Sequence, residues 1–287
     1  MNQSAIEIKQ LEKRFPKFHL GPLDLNVPSG AIYGLVGPNG AGKTTTLDLL
    51  FGMGSHDAGS MSLLGLNPDK NEVELKQRVA YVSPDLNYQI FARVDHAIRF
   101  LTPFYPSWDQ DFCDELLKRF RIDPKDKIAA LSFGNRIKLS LALAFARRPE
   151  LLILDEPTVG LDAGSKREVF SQLLTLLKNG ENTVVISSHS LSDLERFTDH
   201  LGVINEGKLI LEGPTDSLLQ EHRHLDFTLN GTLPHGGKVV SRDGTRFRVL
   251  SDDAEAYEKA LVGLGANDIN VSPVTLEELF LGLVEGE

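Results

Sequence analysis

Apolar and polar positions alternate over Ala5–Lys9 and again over Leu23–Val27, which predicts two half-buried strands, the second closing at the turn Pro28-Ser29-Gly30. Ala31–Val36 is instead a nearly continuous apolar run of strand length, suited to a strand buried on both faces. A Gly-rich loop follows over Gly37–Gly42, then a helical pattern from Lys43 to Phe51, and Gly52–Gly59 closes the unit. Residues 85–146 change character. Leu116, Leu117 and Phe120, and then Ile137, Leu139, Leu141 and Leu143, are spaced for helix faces, so this stretch reads as a mostly helical insertion. Thr102-Pro103-Phe104-Tyr105-Pro106 breaks it, with Ser107 or Asp109 placed to cap the next helix.

The strand pattern returns at Leu151–Leu154 and Thr183–Ser187, with an amphipathic helix over Lys166–Leu177 ending near Asn179-Gly180. Leu191–Phe197 reads as helical, and Leu201–Asn205 as a strand leading to the turn Glu206-Gly207. This alternation predicts an α/β core with helices packed on a sheet. At Gly213-Pro214 the composition shifts to a polar helix and His222-Arg223-His224. A small α+β unit is expected beyond it. Lys238–Ser241 and Thr245–Leu250 flank the hairpin signal Arg242-Asp243-Gly244, Ala254–Leu264 is helical, and Thr275 with Glu278 forms a capping box for a last helix. Arg242, Arg246 and Arg248 are read as a row on one strand face, either solvated or open to an anion, and Glu285-Gly286-Glu287 as a solvated acidic tail. The predicted division is residues 1–218 and 219–287.

Composition narrows the classes. The 287 residues carry 30 Lys+Arg against 40 Asp+Glu, a formal net charge of −10, so the surface is a poor match for nucleic acid or an anionic membrane. Apolar residues make up 41% and charged residues 24%, which excludes wholesale disorder and collagen. The one cysteine, Cys113, permits no intrachain disulfide and reads as an ordinary helix residue. No signal segment opens the sequence, and no apolar run nears the ~18–20 residues of a membrane span, so a soluble, cytoplasmic chain is expected.

Candidate chemistry begins at Gly37-Pro38-Asn39-Gly40-Ala41-Gly42-Lys43-Thr44, which fits the phosphate-binding pattern G-x-x-x-x-G-K-[ST] between a buried strand and a helix. The glycines let backbone N–H groups curl around phosphate oxygens, and the helix N-terminus adds its positive end. Lys43 supplies a point charge to the β- and γ-phosphates, Thr44 a hydroxyl for Mg²⁺, and Thr45 a phosphate contact. The strand Leu151–Leu154 ends in Asp155, placed to deliver a carboxylate to that Mg²⁺. Glu156 points the other way from the strand end and is the candidate general base or water positioner.

Between these motifs stands Leu131-Ser132-Phe133-Gly134-Asn135-Arg136, which resembles the LSGGQ signature of ATP-binding cassette (ABC) ATPases. Pro157-Thr158-Val159-Gly160-Leu161-Asp162 is similar to the family's D-loop, His189 matches its switch histidine, and Phe15 stands at the place of its adenine-stacking aromatic. The resemblance covers about residues 5–215. It implies a P-loop NTPase of the ABC type: a RecA-like sheet core, an antiparallel β subdomain and a helical insertion, with the small α+β unit added. It also implies two cassettes pairing head to tail around ATP, as a homodimer or with a close paralogue. Ser132 and Gly134 of one would then cap the γ-phosphate held by the other, Asp162 would line the shared interface, and His189 would hold the attacking water with Glu156. The sequence departs from the pattern at Phe133 and Asn135, and at Pro84-Asp85, where the family carries Gln or Glu. Asp85 is read as reaching Mg²⁺ or the attacking water, with Gln89 as the substitute and a plain loop acid as the other reading.

A compact single cassette without coiled coils or a zinc module resembles the detached ATPase subunit of a transporter. Phe104-Tyr105-Pro106-Ser107-Trp108-Asp109 and Ser272–Phe280 resemble segments of bacterial multidrug and antibiotic export cassettes. Phe104 and Trp108 are equally suited to filling the core of the helical lobe. The resemblance implies a separate transmembrane permease, received by exposed apolar residues such as Leu86, Tyr88, Ile90 and Phe91, and a place on the inner face of the cell membrane. The alternatives are a soluble ABC ATPase with a regulatory or ribosome-linked role, and a binding module with slow or no hydrolysis.

Overall fold

The computed structural model describes residues 4–86, 88–177, 182–188, 191–195 and 197–284. The chain opens with β1 (Ser4–Phe15) and β2 (Phe18–Pro28), an antiparallel hairpin. It continues through β3 (Ile32–Val36), α1 (Lys43–Phe51) and β4 (Ala58–Leu63), which pairs back onto β1 in a three-stranded sheet. Next come α2 (Glu72–Arg78) and β5 (Val79–Val82), then the helical insertion α3 (Val94–Leu101), α4 (Gln110–Arg119) and α5 (Phe133–Ala146). Then follow β6 (Leu151–Leu154), α6 (Ala163–Leu177), β7 (Thr183–Ser188), α7 (Leu191–Leu194), β8 (His200–Asn205) and β9 (Lys208–Pro214).

The central sheet has the order β5-β6-β7-β3-β8-β9, parallel except for β9. The strands β3, β5 and β6 read as unbroken apolar runs because both faces are covered. Ala80, Val82, Leu152, Leu154, Val184 and Ile186 face the helices of the insertion. The alternate residues Val79, Tyr81, Leu151, Ile153 and Val185 face α1 and the three-stranded sheet. One consequence fixes the site: β7 lies between β3 and β6, so the phosphate loop after β3 and the acids after β6 flank its C-terminal end.

Helix boundaries follow local chemistry. Asp109 caps α4, accepting the Phe112 N–H at 2.9 Å, and Ser107 Oγ donates instead to the Arg147 carbonyl at 2.6 Å. The predicted helix from Leu191 ends at Leu194, three residues before Phe197. Phe197 is half-buried, its ring stacked on Phe170 with centroids 4.4 Å apart.

Beyond β9, α8 (Thr215–Glu221) still packs on the cassette, with Leu218 in its core. The four-stranded sheet, in the order β11-β12-β10-β13, then starts at Arg223. It is built from β10 (Arg223–Thr228), β11 (Lys238–Asp243), β12 (Arg246–Ser251) and β13 (Asn267–Pro273). One face is covered by α9 (Ala254–Gly263), where Tyr257 and Leu261 meet Phe227 and Val249. The last helix, α10 (Leu276–Val284), returns to the cassette: Leu276 and Leu279 share its core with Leu191 and Leu194. Thr275 and Glu278 form the expected capping box, with Thr275 N–H donating to Glu278 Oε2 at 2.9 Å and Glu278 N–H to Thr275 Oγ1 at 3.2 Å.

Three surface expectations are corrected. The arginine row is split, because Arg242 pairs across from Phe247 and sits over its ring at 5.0 Å, on the face opposite Arg246 and Arg248. A register shift between Val239 and Ser241 causes this. Phe104 does not fill the lobe's core: it is 56% exposed at the end of a row of rings, Phe91–Phe100–Phe104, with centroids 5.0 and 5.4 Å apart. Tyr88 and Phe91, expected to be exposed, are half-buried against the core, as is Trp108. Asn179, Gly180 and the tail Glu285-Gly286-Glu287 lie outside the described residues.

Candidate functional site

The loop Gly37–Gly42 leaves the end of β3 and turns into α1. Gly37 presses on β8: a Cβ there would stand 2.2 Å from the Ile204 carbonyl oxygen. Gly42 has φ 110°, left-handed backbone that a side chain disfavours, and a Cβ there would meet Leu20 at 2.8 Å and Phe18 at 3.0 Å. Buried Ala41 accepts the Gly207 N–H at 2.9 Å, which ties the loop to the β8–β9 turn. Pro38 accepts from Ala41 N–H at 3.2 Å within the loop. Asn39, Gly40, Gly42, Lys43, Thr44 and Thr45 line an open cleft of about 510 Å³, together with Lys17, Phe18 and Glu156.

Lys43 is buried and spans the loop, donating to the carbonyls of Gly37 at 2.7 Å and Pro38 at 3.1 Å. Its Nζ lies 3.9 Å from Glu156 Oε1. Burial pulls its pKa down, and the carboxylates of Glu156 and Asp155 pull it back up. An anion entering the cleft would therefore meet a poorly solvated cation, whose attraction for it is strengthened by the low local dielectric.

Thr44 and Asp155 come together as expected, with Thr44 Oγ1 donating to Asp155 Oδ2 at 2.8 Å. A hydroxyl and one carboxylate suit a hard cation that keeps several waters and takes its remaining ligands from phosphate oxygens. Among the described residues no group of three or more His, Cys, Asp or Glu could hold a metal ion alone. Asp155 is 4% exposed, and its other oxygen, Oδ1, accepts from Ser187 Oγ at 2.6 Å. The same Ser187 oxygen accepts the Glu156 N–H at 2.9 Å. Glu156 has φ 45°, a left-handed conformation rare outside Gly and Asn and common at functional sites. Its side chain is turned into the cleft.

The remaining expected residues that the structure describes fall outside that lining. Phe15 is the hairpin partner of Phe18, half-exposed with its ring 6.2 Å away, and Phe18 is the ring on the cleft wall. Ser132 caps α5, accepting the Asn135 N–H at 3.2 Å. Asp162 caps α6, accepting from Ser165 N–H at 2.9 Å and Ser165 Oγ at 2.8 Å, and these bonds hold its carboxyl below the usual range. The signature and the D-loop segment form one surface. A Cβ on Gly134 would lie 3.1 Å from Leu161, and one on Gly160 would lie 2.8 Å from the exposed Phe133 ring. Asp85 is exposed, its N–H on Ser83 Oγ at 3.2 Å, and its field is felt by Asp48 in α1. Asp48 accepts from Tyr81 OH at 2.7 Å. Gln89 is exposed on the following turn, and His189 lies outside the described residues. Lys17, Phe18 and Ser187 escaped the sequence reading. The available signals were a basic-aromatic pair at a hairpin tip and a polar residue ending a β-branched strand.

The ABC transporter family pattern matches residues 20–159. The Nod factor export ATP-binding protein I of Burkholderia pseudomallei is 36% identical, over 100% of this chain and 99% of its own. The bacitracin transport ATP-binding protein BcrA of Bacillus licheniformis is 37% identical, over 72% of this chain and 69% of its own. A solved ATP-binding subunit of an ABC transporter superposes with a TM-score of 0.68 at 23% identity, covering 75% of this chain and 92% of that one.

Proposed function

The chain belongs to the ABC transporter family as an ATP-binding, ATP-hydrolysing subunit, and from that premise we propose that it drives export through a separate membrane subunit, using the cleft over Gly37–Thr45. The observation that carries the reading is the convergence of Lys43, Thr44, Asp155 and Glu156 at one end of the central sheet. Lys43 and the loop amides bind the β- and γ-phosphates of ATP, and Phe18 or Phe15 takes the adenine face. Thr44 and Asp155 would hold Mg²⁺, which when bound would neutralise charge building on the phosphate oxygens. Glu156 orients the attacking water and accepts its proton.

The signature residues do not line this chain's own cleft, which supports a complete site built from two subunits. In that arrangement Ser132, Gly134 and the α5 N-terminus of one face the γ-phosphate of the other, and the segment through Asp162 lines the contact. From the resemblance His189 would contact the γ-phosphate, and Asp85 would approach the metal side of the cleft through water. The names of the relatives, export of Nod factor and transport of bacitracin, support the exporter reading. No helix among the described residues is long and apolar enough to cross a membrane. In this reading a separate permease supplies the path, and the subunit sits peripherally on the inner face.

Glu156→Gln should bind ATP at wild-type affinity, lose turnover by about 10²–10⁴-fold, and elute as a dimer in ATP during gel filtration. Lys43→Ala should instead lose nucleotide affinity in an analogue titration. Wild-type hydrolysis by Glu156→Gln would remove the role assigned to Glu156.

A further inference from the structure

We propose that Ser187, which none of the phosphate-binding motifs includes, is a positioning residue that fixes both acids after β6 through a single hydroxyl. This rests on the roles given above to Asp155 and Glu156.

The geometry is specific. β7 runs between β6 and β3, and in the parallel register Leu154 lies beside Ile186 while Leu35 lies beside Ser187. Ser187 is thus level with the first residue past the end of β6, which is Asp155. Its side chain is fully buried, at 0% exposure, so water cannot stand in for its bonds. A hydroxyl has one proton to give and lone pairs to accept with. Here the proton goes to Asp155 Oδ1 at 2.6 Å, and the Glu156 N–H donates to the oxygen at 2.9 Å.

Each bond does separate work. Donation to Oδ1 fixes the carboxylate plane and leaves Oδ2 turned to Thr44, at 2.8 Å, on the side where the metal would sit. A ligand carboxylate is commonly held by such an outer hydrogen bond. The Glu156 bond pins the peptide between the two acids. Glu156 has φ 45°, a conformation that persists only where surrounding structure over-determines it. Val159 N–H donating to the Glu156 carbonyl at 3.1 Å holds the other side. Without the Ser187 oxygen the Glu156 N–H loses this bond, and relaxing toward ordinary φ would swing the side chain from the cleft. A strand residue that joined only one acid could not keep metal side and water side in register. This one joins both.

The test compares Ser187→Ala, Ser187→Thr and Ser187→Val with wild type and Glu156→Gln. Ser187→Ala should lower kcat by about 10–100-fold and raise the Mg²⁺ concentration for half-maximal binding of a non-hydrolysable ATP analogue by a similar factor. The KM for ATP and the metal-free affinity for the analogue should stay within about threefold. Thr and Val share a shape and differ in the hydroxyl, so Thr should recover most of the loss and Val none, whatever the added methyl costs in packing. Ser187→Ala within about twofold of wild type in both kcat and Mg²⁺ dependence, or Thr and Val equal in both, overturns the proposal. Wild-type turnover by Glu156→Gln would instead remove the assignment on which it rests, a separate outcome visible in the same assay.

Discussion

Single residues show most clearly how environment decides chemistry. Cys113 sits on α4 with no exposure, and burial pushes its thiol up to about 12, so almost no thiolate exists near neutral pH. The native protein should give no measurable reaction with a thiol reagent at pH 8, and one equivalent once unfolded in urea; fast native labelling would contradict the packing. His224 is the opposite type of group, ionisable near neutrality. It is buried on β10 with neither ring nitrogen hydrogen-bonded. Burial lowers its pKa, the nearby Arg248 lowers it further, and Glu278 and Asp226 oppose them. The folded state therefore resists protonation more than the unfolded state does. The stability it favours is fully present above the ordinary histidine pKa of about 6.5 and is lost as pH falls from there toward the folded value. Urea midpoints should fall between pH 7 and pH 5 in wild type, and His224→Phe should flatten that slope. An unchanged slope would assign it to other groups.

Elements follow local rules wherever the deciding partner is close in sequence. The end of β3, the turn of the loop and the start of α1 are adjacent, so a contiguous pattern sufficed to read them. Asp109 shows the same locality: its cap reaches only to Phe112, although Arg148 adds a second partner at 2.8 Å from another helix end. Asp109→Ala should cost about 1 kcal/mol in urea unfolding, the usual value of a lost cap. No change at all would mean that α4 is held by its buried face alone. Where the partner was distant, the reading drifted. The apolar spacing through Phe197 predicts a longer helix from Leu191 than the structure has, because the Phe197 ring packs on Phe170 instead. The arginine hairpin looked one-faced because a bulge leaves no sequence mark.

At the scale of the molecule, the small C-terminal sheet is not a pendant. α10 returns to the cassette, and Leu276 N–H donates to Glu195 at 3.1 Å, just past α7. The exposed rings Phe100 and Phe104 stand at the rim of the helical lobe, and Ile90 is 85% exposed nearby in sequence. Exposed rings packed together in this way are a candidate contact surface. Phe100→Ser with Phe104→Ser should leave the ATPase rate of the isolated subunit near wild type and abolish export in membranes containing the permease. Full export by that double variant would move the docking site elsewhere.

The sequence by itself determined the fold class, the phosphate loop, the acids after β6 and the signature segment. Each is written in contiguous residues whose geometry depends on backbone conformation and strand or helix period. It also brought Thr44 and Asp155 to one end of the sheet, since one opens the helix after the β3 loop, the other follows β6, and both strands run parallel. Tertiary structure alone decided which aromatic faces the cleft, that one serine on the strand between β3 and β6 holds both acids, and that the last helix folds back on the first domain's core. These depend on strand order and on contacts between residues tens of positions apart, and neither is encoded in any local pattern of polarity.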